Sequence, residues 1–319
     1  MSGRWPFDEV RYPQQVKIHA QPTSLTASSR FRAYLALTKP RIIELLLTTA
    51  VPTMFLAAGG LPTLRVTIAV LIGGALSAGG ANTLNSVYDR DIDALMRRTD
   101  ARPAAVGVIS ARAGVIQGVI LAILSALILG LLANWLSAGL SLVAIAMYVF
   151  GYTMWLKRRT PQNIVWGGAA GCMPVLIAWS AVTGGLSVTP VILFLVVFFW
   201  TPPHYWPLAM KYREDYANAG VPMLPVVRND LQVTASILRY SWVMVAVSLG
   251  LIWVAPMGWV YAVTAVVVGA VFLAMAHRLR KAAKANDPEI NATAMRLFHW
   301  SITYLALLFL AVALDPFVG

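Results

Sequence analysis

The apolar positions of this chain neither alternate with polar ones nor form a narrow stripe at helical spacing. They fill unbroken blocks of roughly 18–22 residues, the length an α-helix needs to cross the hydrocarbon core of a bilayer. Nine blocks are predicted, near 42–59, 66–86, 113–133, 136–156, 163–183, 189–209, 236–254, 258–276 and 297–314. The pattern predicts an all-α membrane protein, a bundle of nine transmembrane helices. The connections at 59–63, 133–135, 183–189 and 255–258 are short and nearly uncharged. The others are longer and polar. Two of them, 85–112 and 211–232, are far longer than a turn between packed helices needs, and long loops gathered on one face usually carry function.

Composition and charge refine this picture. The 319 residues are 59% hydrophobic and 12% charged, against roughly 25% charged in soluble domains. That excludes an ordinary water-soluble enzyme and a disordered chain. A formal net charge of +12 would point to nucleic acid on a soluble protein, but here the charges follow the connections. Of 25 Lys and Arg, only Arg65 falls on the side of the short connections. By the positive-inside rule the long-loop side is cytoplasmic. The N-terminus is therefore expected in the cytoplasm and, after an odd number of spans, the C-terminus outside. Topology accounts for the basic excess, so no nucleic-acid partner is expected. Residues 1–33 are polar and lack the apolar core of a signal peptide. They read as a flexible basic cytoplasmic tail near anionic headgroups, and residues 34–319 as a single membrane domain. The single Cys172 excludes an internal disulfide and is expected to be a small buried hydrophobe.

The acids are as informative as the bases. All of them except Glu44 and Asp315 share the cytoplasmic side. The second block closes on Asn85, Asp89 and Asp93, spaced i, i+4, i+8. On a helix these fall within about 80° of one another, while Asp91 is rotated away. Two carboxylates and an amide on one face repel unless a cation or a base holds them. Hard oxygen donors of this kind suit Mg²⁺, which takes one or two carboxylates and keeps phosphate oxygens as further ligands. A solvated helix end with Arg90, Arg97 and Arg98 as partners is the alternative.

The sixth block closes on a second constellation, His204, Lys211 and Asp215, at i, i+7, i+11. These share a face if Pro207 merely kinks the helix. Two acidic helix ends on one side of the membrane would make a diphosphate–Mg²⁺ clamp. A juxtamembrane salt-bridge cluster remains the alternative.

The pattern Asn85-x3-Asp89-x3-Asp93 followed by Arg97-Arg98-Thr99 resembles the first motif of the intramembrane aromatic prenyltransferases. Two further runs narrow the resemblance. One is Tyr152-Thr-Met-Trp-Leu-Lys157-Arg158-Arg159-Thr160-Pro161-Gln162-Asn163. The other is Pro203-His204 with Arg213-Glu214-Asp215-Tyr216 and Gly220-Val-Pro-Met-Leu-Pro225. Together they are similar to the protoheme IX farnesyltransferase branch, from about Lys39 to Leu314. The resemblance implies a nine-helix bundle around a central cavity, and transfer of a farnesyl group from farnesyl diphosphate to a vinyl group of haem b with addition of water. It implies Mg²⁺–diphosphate held by Asn85, Asp89 and Asp93, with Asp215 and Glu214 as the second acidic site. It implies as setting the cell membrane, with haem A synthase or oxidase assembly factors as partners. There is one departure. Many members of the superfamily have two aspartates four apart in the second motif, whereas here Lys211 stands four before Asp215.

Ionisation of an allylic diphosphate needs its departing charge stabilised in a water-poor site. Arg97, Lys157, Arg158, Lys211 and Arg213 are the candidate diphosphate contacts, Arg being suited to bidentate recognition. A basic run such as 157–159 also marks topology alone. Trp200, Tyr205, Trp206 and Tyr152 could wall off a prenyl cation or form an interfacial belt. His204 and His299 are candidates for haem iron or a propionate. Glu44 and Arg41 are candidates for the polar mouth of the cavity, or for a structural ion pair. Two other classes stay open. A transporter would need ionisable groups at mid-membrane, and beyond Glu44 none is found. A prenyltransferase for a quinone or chlorophyll precursor differs only in the branch-specific motifs.

Overall fold

The computed structural model describes residues 26–255 and 257–318. In chain order the helices are α1 (Ala27–Leu37), α2 (Pro40–Ala58), α3 (Leu64–Tyr88), α4 (Arg90–Asp93), α5 (Ala111–Leu132), α6 (Trp135–Leu156) and α7 (Asn163–Thr183). They continue as α8 (Val188–Lys211), α9 (Arg213–Asn218), α10 (Leu224–Val227), α11 (Asp230–Val254), α12 (Trp259–Lys284) and α13 (Ile290–Leu314). Among the described residues, 9 helices are long and apolar enough to cross a membrane. They correspond one to one with the expected blocks. Helices α11, α12 and α13 extend one to two turns past their blocks at the basic end, because a helix continues once its residues rise out of the hydrocarbon layer.

The expected boundary at residue 33 falls inside α1. Thr26 caps this helix, accepting from Ser29 N, and Ala33 and Leu37 pack against Ala104 and Ile109. The polar tail before residue 26 lies outside the described residues.

Successive spans pack side by side, α5 on α6, α6 on α7, α7 on α8, α11 on α12 and α12 on α13. Helix α8 also touches α11 and α13, and α2 touches α3, α7 and α13. Close approach is built from small residues, as is usual between membrane helices. A Cβ on Gly80 of α3 would stand 2.9 Å from the backbone oxygen of Gly118 on α5. The largest apolar core joins α8 with α11, α12 and α13 around Trp206, Tyr261, Phe272 and Tyr304. Its two tyrosine hydroxyls are paired: Ser248 Oγ and Tyr304 OH lie 2.7 Å apart, and Tyr261 OH donates to Ser248 O at 2.8 Å. Outward faces keep large apolar side chains exposed, such as Ile116, Ile120, Ile123 and Leu127 of α5, as a lipid-facing surface requires.

Two spans contain π-helical stretches, Ala69–Gly73 in α3 and Met147–Leu156 in α6. Such stretches free backbone groups and often mark functional positions. Ser125 Oγ of α5 donates to the freed Gly73 carbonyl at 2.7 Å. The stretch in α6 delivers Lys157 to the site described next.

Candidate active site

Helix α3 ends at Tyr88 and its backbone ladder continues into α4, with Asp89 N bonded to Asn85 O at 2.9 Å and Asp93 N to Asp89 O at 2.8 Å. The i, i+4, i+8 face therefore survives the change of helix. Asn85, Asp89 and Asp93 are all buried, and Asp91 is exposed, as its rotation predicts. Asn85 Nδ2 donates to Asp89 Oδ2 at 2.7 Å and to Thr153 Oγ1 of α6 at 3.0 Å. Thr153 in turn donates to Tyr148 O at 2.8 Å, five residues back along the π-helical stretch.

The bases that hold these acids are largely not Arg90, Arg97 and Arg98. Lys157 Nζ stands 2.5 Å from Asp89 Oδ2. Arg158 forks onto Asp91 with both bonds at 2.7 Å and lies 3.6 Å from Asp89 Oδ1. Arg102 Nη1 donates to both oxygens of Asp93, at 2.9 and 2.7 Å. Lys39, at the N-cap of α2 with a left-handed φ of 53°, donates to Asn85 Oδ1 at 2.5 Å. Burial of its ammonium, with Arg102 and Lys157 nearby, lowers the Lys39 pKa to about 7 despite Asp93 and Asp89.

Sequence reasoning missed Lys39 and Arg102. Their pairing is made by the fold, and a Lys-Pro before a span looks like a topology signal. It also missed how the loops are held. Thr99 Oγ1 donates to Asp93 O at 2.9 Å, and Asn163 Nδ2 to Lys157 O at 3.1 Å. The Thr99 and Asn163 positions of the two motifs thus position Asp93 and Lys157.

The second constellation is divided. Helix α8 stays helical through Pro202, Pro203 and Pro207 but ends at Lys211, and Tyr212 breaks it with φ −104° and ψ 28°. Asp215 belongs to the separate helix α9, and of the three expected on a common face His204 and Asp215 are buried while Lys211 is exposed. Glu214 is exposed too. Lys211 lies over the ring of Tyr212 at 5.7 Å, and Arg213 pairs with Asp230 of α11. Arg97 is exposed. The two acidic segments do meet: Ile92 and Met96 beside α4 pack against Tyr216, Ala219 and Val221 of the α9 region.

Beneath the acids lies a cavity of about 210 Å³. Its walls come from α2, α3, α6, α7, α8 and α13, and are mostly apolar, with Leu46, Val70, Ile177 and Leu305 among them. Asn82, Tyr148, Tyr152 and Tyr205 line it too. Asn82 is one turn before Asn85, and Tyr152 adjoins Thr153, so the acid–base cluster sits at the polar end of the cavity. Tyr148 and Tyr152 stack at 5.6 Å. Tyr152 leans on a glycine, since a Cβ at Gly167 would meet its ring at 2.1 Å.

His204 is buried between Trp200 and Phe298, with ring centroids at 4.2 and 4.7 Å. Its Nδ1 lies 2.6 Å from Ser301 Oγ. Ser301 Oγ also lies 2.5 Å from Phe298 O, to which it can donate. The contact holds the ring by Nδ1, and Nε2 has no hydrogen-bond partner among the described residues. Trp206 is buried and Tyr205 lines the cavity. His299, Glu44 and Arg41 are exposed and absent from the cavity wall, and no ion pair joins Arg41 to Glu44 among the described residues. Cys172 is fully buried, as expected.

No three His, Cys, Asp or Glu side chains among the described residues lie together as a protein-only metal cage. The donor set nonetheless fits a metal that completes its shell with phosphate. Asp89 Oδ1 is buried without a hydrogen-bond partner, and no base pairs with the buried Asp215 among the described residues.

The profile of the UbiA prenyltransferase family matches residues 45–302. The chain belongs to the UbiA prenyltransferase family. Among UbiA relatives, the protoheme IX farnesyltransferase of Streptomyces avermitilis is 58% identical over 91% of this chain and 95% of its own length. That of Cutibacterium acnes is 53% identical over 98% and 94%. Solved structures share the fold at low identity. A digeranylgeranylglyceryl phosphate synthase superposes with TM-score 0.75 at 17% identity, covering 91% of this chain and 100% of its own. A UbiA homolog from Archaeoglobus fulgidus bound to GPP and Mg²⁺ gives 0.59 at 18%, covering 88% and 99%.

Proposed function

We propose that this chain converts haem b to haem O, transferring farnesyl from farnesyl diphosphate to a vinyl group with addition of water and release of diphosphate. The observation that carries this reading is a buried acid–base cluster closing the polar end of a large apolar cavity, in a chain more than half identical to proteins named for this reaction. The cavity takes the prenyl chain, and the cluster takes the diphosphate.

Asn85, Asp89, Asp93 and Asp215 would hold Mg²⁺. Bound there, the metal supplies Lewis-acid charge to the diphosphate oxygens. Lys157, Arg158 and Arg102 stand against the same acids and neutralise the leaving group as the C1–O bond of the prenyl chain breaks. Lys39 holds the Asn85 amide in place. Tyr148, Tyr152 and Tyr205 present ring faces to the allylic cation and exclude water from it. The terminal vinyl carbon of the porphyrin supplies the electron pair for the new C–C bond. Water captures the resulting cation beside the ring and loses a proton, giving the hydroxyl. His204 Nε2 provides a neutral ligand for haem iron. Arg97, Lys211 and Arg213 at the rim receive diphosphate before it seats, and His299, Arg41 and Glu44 meet the haem at the membrane surface. The site faces the cytoplasm, where both the charge bias and the diphosphate donor lie.

The deciding experiment incubates detergent-purified protein with haem b, farnesyl diphosphate and Mg²⁺ and weighs the extracted haem by mass spectrometry. A product heavier by one farnesyl and one water, absent with EDTA, is expected. Unmodified haem from folded protein would overturn the acceptor assignment.

A further inference from the structure

A second concavity lies away from the acid–base cluster, between the basic end of α12 and the start of α13. It is lined by Met275, Arg278, Lys281, Asp287, Thr293 and Arg296. On α12, Met275, Arg278, Lys281 and Ala282 follow helical spacing on one face; on α13, Thr293 and Arg296 stand one turn apart. Three cations thus converge from two helices on one hollow. None of the three makes an ion pair or a side-chain hydrogen bond among the described residues, although Arg280 on the same turn is engaged with Leu231 O. The acid in the wall, Asp287, is occupied in part by accepting from Glu289 N at 2.8 Å.

The surroundings select the ligand. Below Met275 the same face of α12 continues through Val271 and Val267, both exposed. Past Arg296, α13 continues through Trp300 to the exposed Leu307. The hollow is therefore cationic at the level of the headgroups and opens onto an apolar strip running into the bilayer. Basic pockets between membrane helices are suited to anionic headgroups.

We propose that this hollow binds the phosphate of an anionic phospholipid, with Arg278, Lys281 and Arg296 on the phosphate, Thr293 as a neutral donor, and the acyl chains along Val271, Val267 and Leu307. Topology alone would distribute bases around the loop end. It would not leave three of them unpaired in one hollow while their neighbour bonds across to α11.

Native mass spectrometry in a neutral detergent tests this. The intact protein is offered phosphatidylglycerol and phosphatidylcholine of identical chains in equal amounts. Retention of phosphatidylglycerol is expected to be favoured. In Arg278→Gln/Lys281→Gln/Arg296→Gln that preference should fall at least tenfold, given roughly fivefold per basic residue near a surface. A charge-matched control, Arg228→Gln/Arg239→Gln/Lys284→Gln, should keep it. Equal loss in both variants would overturn the site in favour of bulk charge, and so would no preference in the unaltered protein. In a further arm, millimolar inorganic phosphate replaces lipid. Saturable phosphate binding that the pocket variant abolishes, without lipid preference, would assign the site to a free anion and overturn the lipid assignment. Thermal unfolding of both variants is run alongside, and a normal transition is expected because the pocket side chains bond to nothing in the fold and, in the control, only Arg239 does, to Ser236 one turn away.

Discussion

Lys157 Nζ and Asp89 Oδ2 stand 2.5 Å apart, joining the end of α6 to the end of α3 across 68 positions of sequence. Asp89 is fully buried, so this pair serves two ends. It gives a buried carboxylate its counter-charge, and, on the proposed function, it places a cation where diphosphate charge would develop. The two roles are separable. Lys157→Gln should destabilise the protein by roughly 3 kcal/mol, the lower end of the cost of orphaning one partner of a buried pair, because Arg158 remains 3.6 Å away. Adding Asp89→Asn should restore stability, since two amides can hydrogen-bond, while turnover stays at background. Thermal unfolding and product formation on the same preparations check this. A double variant that regains activity would remove Asp89 from the chemistry.

His204 is held by Ser301, so the two should act together on haem. His204→Ala should abolish the haem absorbance shift that accompanies axial ligation by imidazole. Ser301→Ala should keep the ligand but free its orientation, weakening haem binding by a factor of a few, since one hydrogen bond contributes about 1 kcal/mol. A haem titration followed by absorbance distinguishes them. If both variants bind as the parent does, the imidazole is a packing element of the α8–α13 contact.

The limits of sequence reading have physical causes visible at particular residues. The spans were legible because a bilayer demands about 20 apolar residues in a row, and Asn85, Asp89 and Asp93 because a helix repeats every 3.6 residues. Both rules are local. Lys39 and Arg102 serve the same acids through contacts that no local period encodes. Lys211 and Asp215 share a helical period on paper, but Tyr212 ends the helix between them, and a period does not say which of two residues the neighbouring elements will bury: Asp215 is covered and Lys211 is exposed. Glu44 stood out as a charge in an apolar block, yet it is exposed four residues past Pro40, near the end of the span where such a charge is tolerated.

The open acceptors on Asp89 and Asp215 make a prediction about metal. Without metal, Asp89 Oδ1 is a buried acceptor without a partner and Asp215 a buried carboxylate without a base among the described residues, and both cost stability. Mg²⁺ with inorganic diphosphate should raise the unfolding temperature in proportion to the logarithm of its concentration above the dissociation constant. Asp215→Asn should be more stable than the parent without metal and should lose most of that response. EDTA should return the parent, but not the variant, to its lower transition. A parent transition indifferent to Mg²⁺ and diphosphate would argue that Lys157, Arg158 and Arg102 alone satisfy the acids.

The glycines of α7 offer a way to read which end of the cavity holds the tail of the prenyl chain. Gly167, Gly168 and Gly171 all line it, but they differ in what a side chain would meet. At Gly167 a Cβ would strike the Tyr152 ring at 2.1 Å, whereas at Gly171 it would meet nothing within 4 Å. Gly167→Ala should therefore displace Tyr152 from its stack on Tyr148 and lower turnover with every prenyl donor, because the ring proposed to shield the allylic carbon moves. Gly171→Leu should fold normally and fill cavity space one turn further from the acids. It should raise the KM for farnesyl diphosphate well above that for geranyl diphosphate, shifting the preference by roughly tenfold or more, as one or two lost isoprene-sized contacts would at about 0.8 kcal/mol per buried methylene. Parallel kinetics with the two donors measure the ratio. An unchanged ratio in Gly171→Leu would mean that the chain leaves the acid cluster along the α2 or α13 wall instead of along α7.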